Sequence, residues 1–208
     1  NDALTVDTIY YNFPSVQYFS RTSEPDASAE KTTREFYEAL PLFADKVCIV
    51  TGGDVIRVGD AEFDVLYSPE WDIQRNICNN SSIVLRADYG QTSFLFTGDA
   101  EDVVEEALLK KGVTLKSDVL KVGHHGSYSS TSQTFLDQVD PDYGVISCGR
   151  NNEYGHPHDG PLNRLERAEV ELYRTDLMGN IVLVTNGSDM AFFLDTTDNT
   201  VDGYDKVA

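Results

Sequence analysis

The sequence predicts an α/β fold, and three observations carry that reading. From about residue 93 onward, short strand-like apolar runs alternate with amphipathic helical stretches, the pattern of parallel strands joined by helical crossovers. Glycine and proline fall at the ends of these runs, where they act as punctuation. The chain has 208 residues, 40% hydrophobic and 11% aromatic, enough to bury a core and too apolar for a disordered chain.

Residues 3–19 read as an apolar strand around Ile9, Tyr10 and Tyr11, running into a loop at Pro14. After a polar stretch over 21–27, Ser28 is placed to cap a helix reaching about Leu40, with Phe36 and Leu40 at i, i+4 as its buried stripe. Strands follow at 46–50, 55–58 and 62–67, separated by the turns Gly52-Gly53 and Gly59-Asp60. Segments 82–87 and 93–97 form a hairpin across Asp88-Tyr89-Gly90-Gln91. A helix over about 100–111 puts Val103, Val104, Ala107 and Leu108 on one face and leaves Glu105 and Glu106 to solvent, with Gly112 as its stop. Strand 118–122 runs into Gly123-His124-His125-Gly126-Ser127. A helix over 131–139 leads through Pro141 to strand 143–148. Pro161 opens a further helix to about Tyr173. Strands 181–185 and 190–194 flank Asn186-Gly187. The expected organisation is one domain over 1–195 and an acidic, frayed tail over 196–208. The surroundings of Trp71 stay open: it covers a pocket or simply packs.

Composition narrows the function classes. Lys and Arg number 16 against 35 Asp and Glu, a formal charge of −19, so phosphate backbones are repelled unless a metal ion or a local basic patch intervenes. No apolar run approaches the roughly 20 residues of a membrane span, and the first residues lack the basic-then-apolar pattern of a secretory leader. Cys48, Cys78 and Cys148 are widely spaced, which argues against a disulfide scaffold and against a thiolate zinc site.

All four histidines, His124, His125, His156 and His158, crowd between residues 124 and 158, beside glycine or proline just after predicted strands. Asp99 occupies the same kind of place, in Thr97-Gly98-Asp99. Reactive groups of α/β folds sit at such carboxyl ends of strands. Imidazoles with a carboxylate form a nitrogen/oxygen donor set suited to zinc, manganese or iron. The plainer alternative is that His124 and His125 close a strand end through backbone hydrogen bonds. Asn79-Asn80-Ser81-Ser82 is a polar cluster before a strand, read first as an Asx turn. The hydroxyl-rich run 127–132 either contacts phosphate oxygens or caps a helix through Ser130 or Ser132. Ser127 as a nucleophile would need a GxSxG elbow, which the sequence lacks.

Three segments in series carry a resemblance: NNSSIVLRADYGQTSFLFTGDAE from Asn79, LKSDVLKVGHHGSYSSTSQTFL from Leu115, and ISCGRNNEYGHP from Ile146. Together they resemble the metallo-β-lactamase-like hydrolase domain of the ComEC competence family, from about Asn79 to Asn186 and more loosely back to residue 1. The resemblance implies an αββα sandwich with two divalent metals, zinc or manganese, between its sheets. By it, Asp99 is the bridging metal ligand and His124 the last histidine ligand. His125 is the alternative ligand and otherwise a catalytic proton donor, and His156 contacts the substrate or its leaving group. Asn79 or Asn80 stands where many relatives place a histidine ligand and is read, with Ser127, as substrate-binding. The signature His-x-His-x-Asp-His is absent from the sequence, so the expectation is a domain truncated on its N-terminal side, with the missing half as its partner. The implied function is the C-terminal part of a metal-dependent hydrolase acting on phosphodiesters, DNA or a small anionic substrate, in a bacterial protein more often exported or at the cell surface than cytoplasmic. The alternative from another class is a non-catalytic half-domain that acts through self-association.

Overall fold

The computed structural model describes residues 6–15, 27–43, 46–69, 75–195 and 205–207. Strand β1 (Thr8–Tyr11) pairs in parallel with β2 (Lys46–Ile49), and helix α1 (Ala27–Phe43) packs on them through Tyr11, Phe36 and Tyr37. Strand β1 holds the expected Ile9, Tyr10 and Tyr11 and ends before Pro14; residues 3–5 and 16–19 of that segment lie outside the described residues, as does Trp71.

The core of the fold is a seven-stranded mixed sheet in sequence order, β3 (Val55–Val58), β4 (Ala61–Tyr67), β5 (Val84–Tyr89), β6 (Thr92–Phe96), β7 (Val119–Lys121), β8 (Tyr143–Ile146) and β9 (Glu171–Arg174). Pairing is antiparallel from β3 to β6 and parallel from β6 to β9. The change of sense has a local cause. Two residues close the β5–β6 hairpin, whereas β6, β7 and β8 are joined through α3 (Asp102–Lys111) and α4 (Gln133–Val139), and such crossovers return the chain in parallel.

Alternation along the strands separates the two faces. Leu95 and Leu120, paired across β6 and β7 and fully buried, look toward Val104 and Leu108 of α3, Phe135 and Leu136 of α4, and Leu165 of α5 (Asp159–Arg167). Phe94, Phe96 and Lys121 look the other way, across a cavity of about 330 Å³ toward Ile181 and Leu183 of β10 (Asn180–Thr185). Strands β10 and β11 (Met190–Asp195) form an antiparallel sheet, and Phe192 stacks on Tyr173 of β9 at 3.8 Å between ring centroids. The layers are thus helices, large sheet and small sheet. Asp205–Val207 add a strand, β12, beside β11; the rest of the expected frayed tail lies outside the described residues.

Two expectations are corrected. The helix opened by Pro161 ends at Arg167, not near Tyr173: Glu169 takes a left-handed φ of 57°, and residues 171–174 become β9, burying Val170 and Tyr173 on opposite sides of the sheet. Val104 and Leu108 are buried and Glu106 exposed as predicted, but Glu105 is buried at 3% exposure while Val103 is 38% exposed. The carboxylate of Glu105 accepts backbone N–H groups from Thr131 and Ser132, the latter at 2.8 Å, and so serves the orphan donors at the start of α4. Burial pushes its carboxyl above the usual range, against those hydrogen bonds.

Candidate functional site

Three strand ends build the site. After β6 the chain turns at Gly98, whose φ is +56° and where a Cβ would lie 2.8 Å from Ser82 Oγ, so only glycine fits. That turn delivers Asp99, whose backbone N–H donates to Ser82 Oγ at 2.9 Å. After β7 the chain makes one 3-10 turn over Gly123–Gly126, in which both His124 (φ 45°) and His125 (φ 56°) are left-handed. Such a conformation costs on the order of 1–3 kcal/mol per non-glycine residue, so the surroundings must impose it. They do so by hydrogen bonds from His124 N to Gly98 O (3.0 Å), Ser127 N to His124 O (2.8 Å) and Ser130 Oγ to Gly123 O (2.8 Å). Arg164 of α5 pins the same loop by donating to the carbonyls of Thr131 and Ser130 at 2.6 and 3.0 Å.

After β8, the loop 149–158 folds on itself: Asn152 exchanges hydrogen bonds with the backbone of His156, and His158 N–H donates to Gly126 O at 2.9 Å. A Cβ at Gly126 would meet Pro157 at 2.6 Å, so this glycine permits the two histidine segments to touch. Ring centroids of His124 and His125 then lie 5.5 and 6.1 Å from that of His156, which is 4.8 Å from His158. Burial first, then the neighbouring His158, His124 and His125, lowers the pKa of His156 below the usual imidazole value. Burial also lowers the pKa of Lys121, with the nearby Asp99 opposing the shift.

Two carboxylate–imidazole pairs organise the cluster. In the outer pair, His125 Nδ1 donates to Ser147 O at 2.6 Å and its Nε2 faces Asp99 Oδ1 at 3.4 Å, with the two side chains 45% and 43% exposed. In the inner pair, His124 Nδ1 lies 3.4 Å from Glu101 Oε1 and 3.3 Å from Ser129 Oγ, while its Nε2 meets Asn79 Nδ2 at 3.4 Å. Glu101 is only 2% exposed and accepts from Asn76, Asn80 and Ser129. Burial alone would raise its carboxyl pKa; these hydrogen bonds and His124 outweigh that and hold it low.

The structure thus brings Asp99, His124, His125, His156 and Asn79 together. Asn80 and Ser127 turn inward instead. Asn80 is fully buried, donating to Glu101 and to Arg75 O and accepting Glu101 N–H at 3.0 Å. Ser127 is 4% exposed, with its hydroxyl 3.1 Å from Ser129 Oγ. Glu101 is the residue that sequence reasoning passed over. Its signal was available: a carboxylate two positions after Asp99, at the N-terminal boundary of α3. Among the described residues no three His, Cys, Asp or Glu side chains converge in a way that could hold a metal ion. Asp99 and His124, the pair implied by the resemblance, do not by themselves fit a metal cage.

Residues 74–150 match the Metallo-beta-lactamase superfamily. The chain is 43% identical over 132 residues to ComE operon protein 3 of Bacillus subtilis (strain 168), covering 64% of this chain and 17% of that protein. It is 45% identical over 102 residues to Competence protein ComA of Neisseria gonorrhoeae, 49% of this chain and 15% of that one. These matches support a ComEC-like metallo-β-lactamase domain in this chain. Recombination protein 2 of Haemophilus influenzae is also similar, 43% identical over 104 residues, half of this chain and 13% of that protein. The chain therefore spans less than a fifth of the length of these relatives. The large mixed sheet with its helical layer is consistent with the metallo-β-lactamase-like fold. In this ComEC-like domain the matched segment includes Asn79, Asp99, Glu101, His124 and His125, and His156 and His158 follow just beyond it. No described helix is long and apolar enough to cross a membrane.

Proposed function

We propose that the chain is the C-terminal part of a metal-dependent hydrolase that cleaves phosphodiesters, nucleic acid among them. The outer pair carries this reading. His125 donates its Nδ1–H to Ser147 O, which turns Nε2 toward the Asp99 carboxylate at 3.4 Å. Two electron-rich groups at an exposed strand end, with His156 alongside, attract positive charge. Superfamily members usually bind divalent metals, and Asp99 and His125 are the described residues that would contribute to holding one.

Asn79 meets His124 Nε2 at 3.4 Å, and His156, whose ring centroid is 5.5 Å from that of His124, is the contact for a leaving oxygen. The chain's charge of −19 favours a compact phosphodiester contact over a broad basic surface. The recombination protein among the relatives favours nucleic acid within the class.

The test uses the full-length protein with manganese or zinc, assayed on bis-nitrophenyl phosphate and on a β-lactam. Phosphodiester turnover with the β-lactam untouched is the expected result. Rapid β-lactam hydrolysis, without phosphodiesterase activity in either metal, overturns the reading.

A second reading, a non-catalytic half-domain that self-associates, has one observation in its favour. Strand β10 is apolar on both faces: Ile181 and Leu183 line the cavity, while Val182 and Val184 are 37% and 52% exposed. Sedimentation velocity showing a dimer, together with a full-length protein inert on every phosphodiester, would favour it.

A further inference from the structure

A carboxylate that is 2% exposed, held by three side-chain donors and set against a histidine, calls for an account beyond packing. Glu101 has that environment. A buried carboxylate loses its hydration, and an apolar side chain would fill the same space more cheaply unless the charge has a use.

The hydrogen-bond directions show the use. Asn79 Nδ2 is a donor and meets His124 Nε2 at 3.4 Å, so Nε2 accepts and carries no proton. The neutral ring therefore has its proton on Nδ1, which points at Ser129 Oγ (3.3 Å) and Glu101 Oε1 (3.4 Å). Ser129 gives its own proton to Glu101 Oε1 at 2.9 Å, leaving its oxygen to accept from His124 and from Ser127 at 3.1 Å. Every donor in this chain ends on Glu101, which has only acceptors. Asn76 and Asn80 fix the carboxylate from the far side, each donating to Oε2, at 2.8 and 3.1 Å.

We propose that Glu101 is a positioning residue that acts through His124. Directly and through Ser129, it keeps the imidazole proton on Nδ1, so that the Nε2 lone pair faces Asn79. The tautomer is a property of this chain and holds whether or not the hydrolase reading does; only its consequence for catalysis rests on that reading. A carboxylate that orients an imidazole in this way commonly fixes the ring and raises the basicity of its other nitrogen.

The test reads the tautomers directly. Long-range proton–nitrogen correlation spectra of the 15N-labelled 208-residue chain, at about pH 8.5 and above the usual imidazole range, report which ring nitrogen is protonated. Wild type is expected to show His124 protonated on Nδ1. His158 is the internal reference and is expected on Nε2, because Tyr128 N–H donates to its Nδ1 at 3.1 Å. Glu101→Gln introduces a donor into the all-acceptor position and is expected to shift His124 toward the Nε2–H form, with His158 unchanged. Ser129→Ala, at a half-buried position of the loop, removes the bridge and is expected to move His124 in the same direction. Should Glu101→Gln fail to fold, the wild-type and Ser129→Ala spectra decide the matter. Wild-type His124 protonated on Nε2, or an unmoved Nδ1–H signal in a folded Glu101→Gln chain, overturns the proposal. Loss of hydrolysis with the tautomers as expected leaves it standing and removes only the hydrolase reading.

Discussion

Two carboxylate–imidazole pairs, built from adjacent histidines and from carboxylates two residues apart, share one rim and a 3.4 Å separation but have opposite surroundings. The Asp99–His125 pair is nearly half exposed and its histidine hydrogen-bonds a backbone carbonyl. The Glu101–His124 pair is buried, and asparagine and serine donors complete its carboxylate. The difference teaches that a charge at a strand end is not one kind of feature. An exposed pair keeps lone pairs free for a ligand, whereas a buried pair uses them up in fixing geometry.

Removing the exposed pair should damage activity alone. In the full-length protein, His125→Ala should lower phosphodiester turnover by about 100-fold or more while leaving the melting temperature within a few degrees of wild type. Activity assays beside thermal denaturation check both parts.

The outer pair is also too small a donor set to hold an ion. The 208-residue chain should retain no stoichiometric zinc or manganese after dialysis, because metal cages need three or four protein ligands and no three converge among the described residues. Elemental analysis after dialysis reads this, and one tightly held ion per chain would break the contrast between the pairs.

Damage to the inner pair should appear as lost stability. Asn80→Ala removes a fully buried amide that serves Glu101 and Arg75 O, and should cost about 2–3 kcal/mol. Urea unfolding of the chain measures it, and a loss of under half that size would mean the network is held elsewhere.

A third pair, Arg174–Asp176, serves as the control. It is mostly buried, at 22% and 11% exposure, with a 2.6 Å contact, and the hydrogen bond from Arg174 is the main cause that holds the Asp176 carboxyl below its usual range. A carboxyl with a lowered folded pKa contributes stability above its unfolded value of 3.8 and loses it as pH falls through the lower folded value. Asp176→Asn should therefore cost about 1–2 kcal/mol at neutral pH, and its difference from wild type should shrink below about pH 4. Unfolding curves across that range show whether it does.

Much of this organisation was legible in the sequence. The β5–β6 hairpin could be read from alternation and its turn residues, and the crowding of four histidines beside glycine and proline located the rim. What escaped depends on contacts between distant segments. The sequence after Arg167 satisfies a helical pattern as well as a strand pattern, and pairing with β8 decides for the strand. Glu105 is buried because the start of α4 needs an acceptor, and nothing in α3 announces that. The inward turn of Asn80 and Ser127, and the importance of Glu101, arise only when the helix α2 (Ile77–Asn80) closes against the loops after β6 and β7.

The most direct test of the account is Asp99→Ala in the full-length protein, with kcat/KM for bis-nitrophenyl phosphate measured alongside the melting temperature. The account predicts a loss of about two orders of magnitude or more in kcat/KM with the melting temperature nearly unchanged, because Asp99 is 43% exposed and its carboxylate contact, to His125 at 3.4 Å, is itself nearly half exposed. Near-normal turnover in a folded Asp99→Ala protein would contradict it.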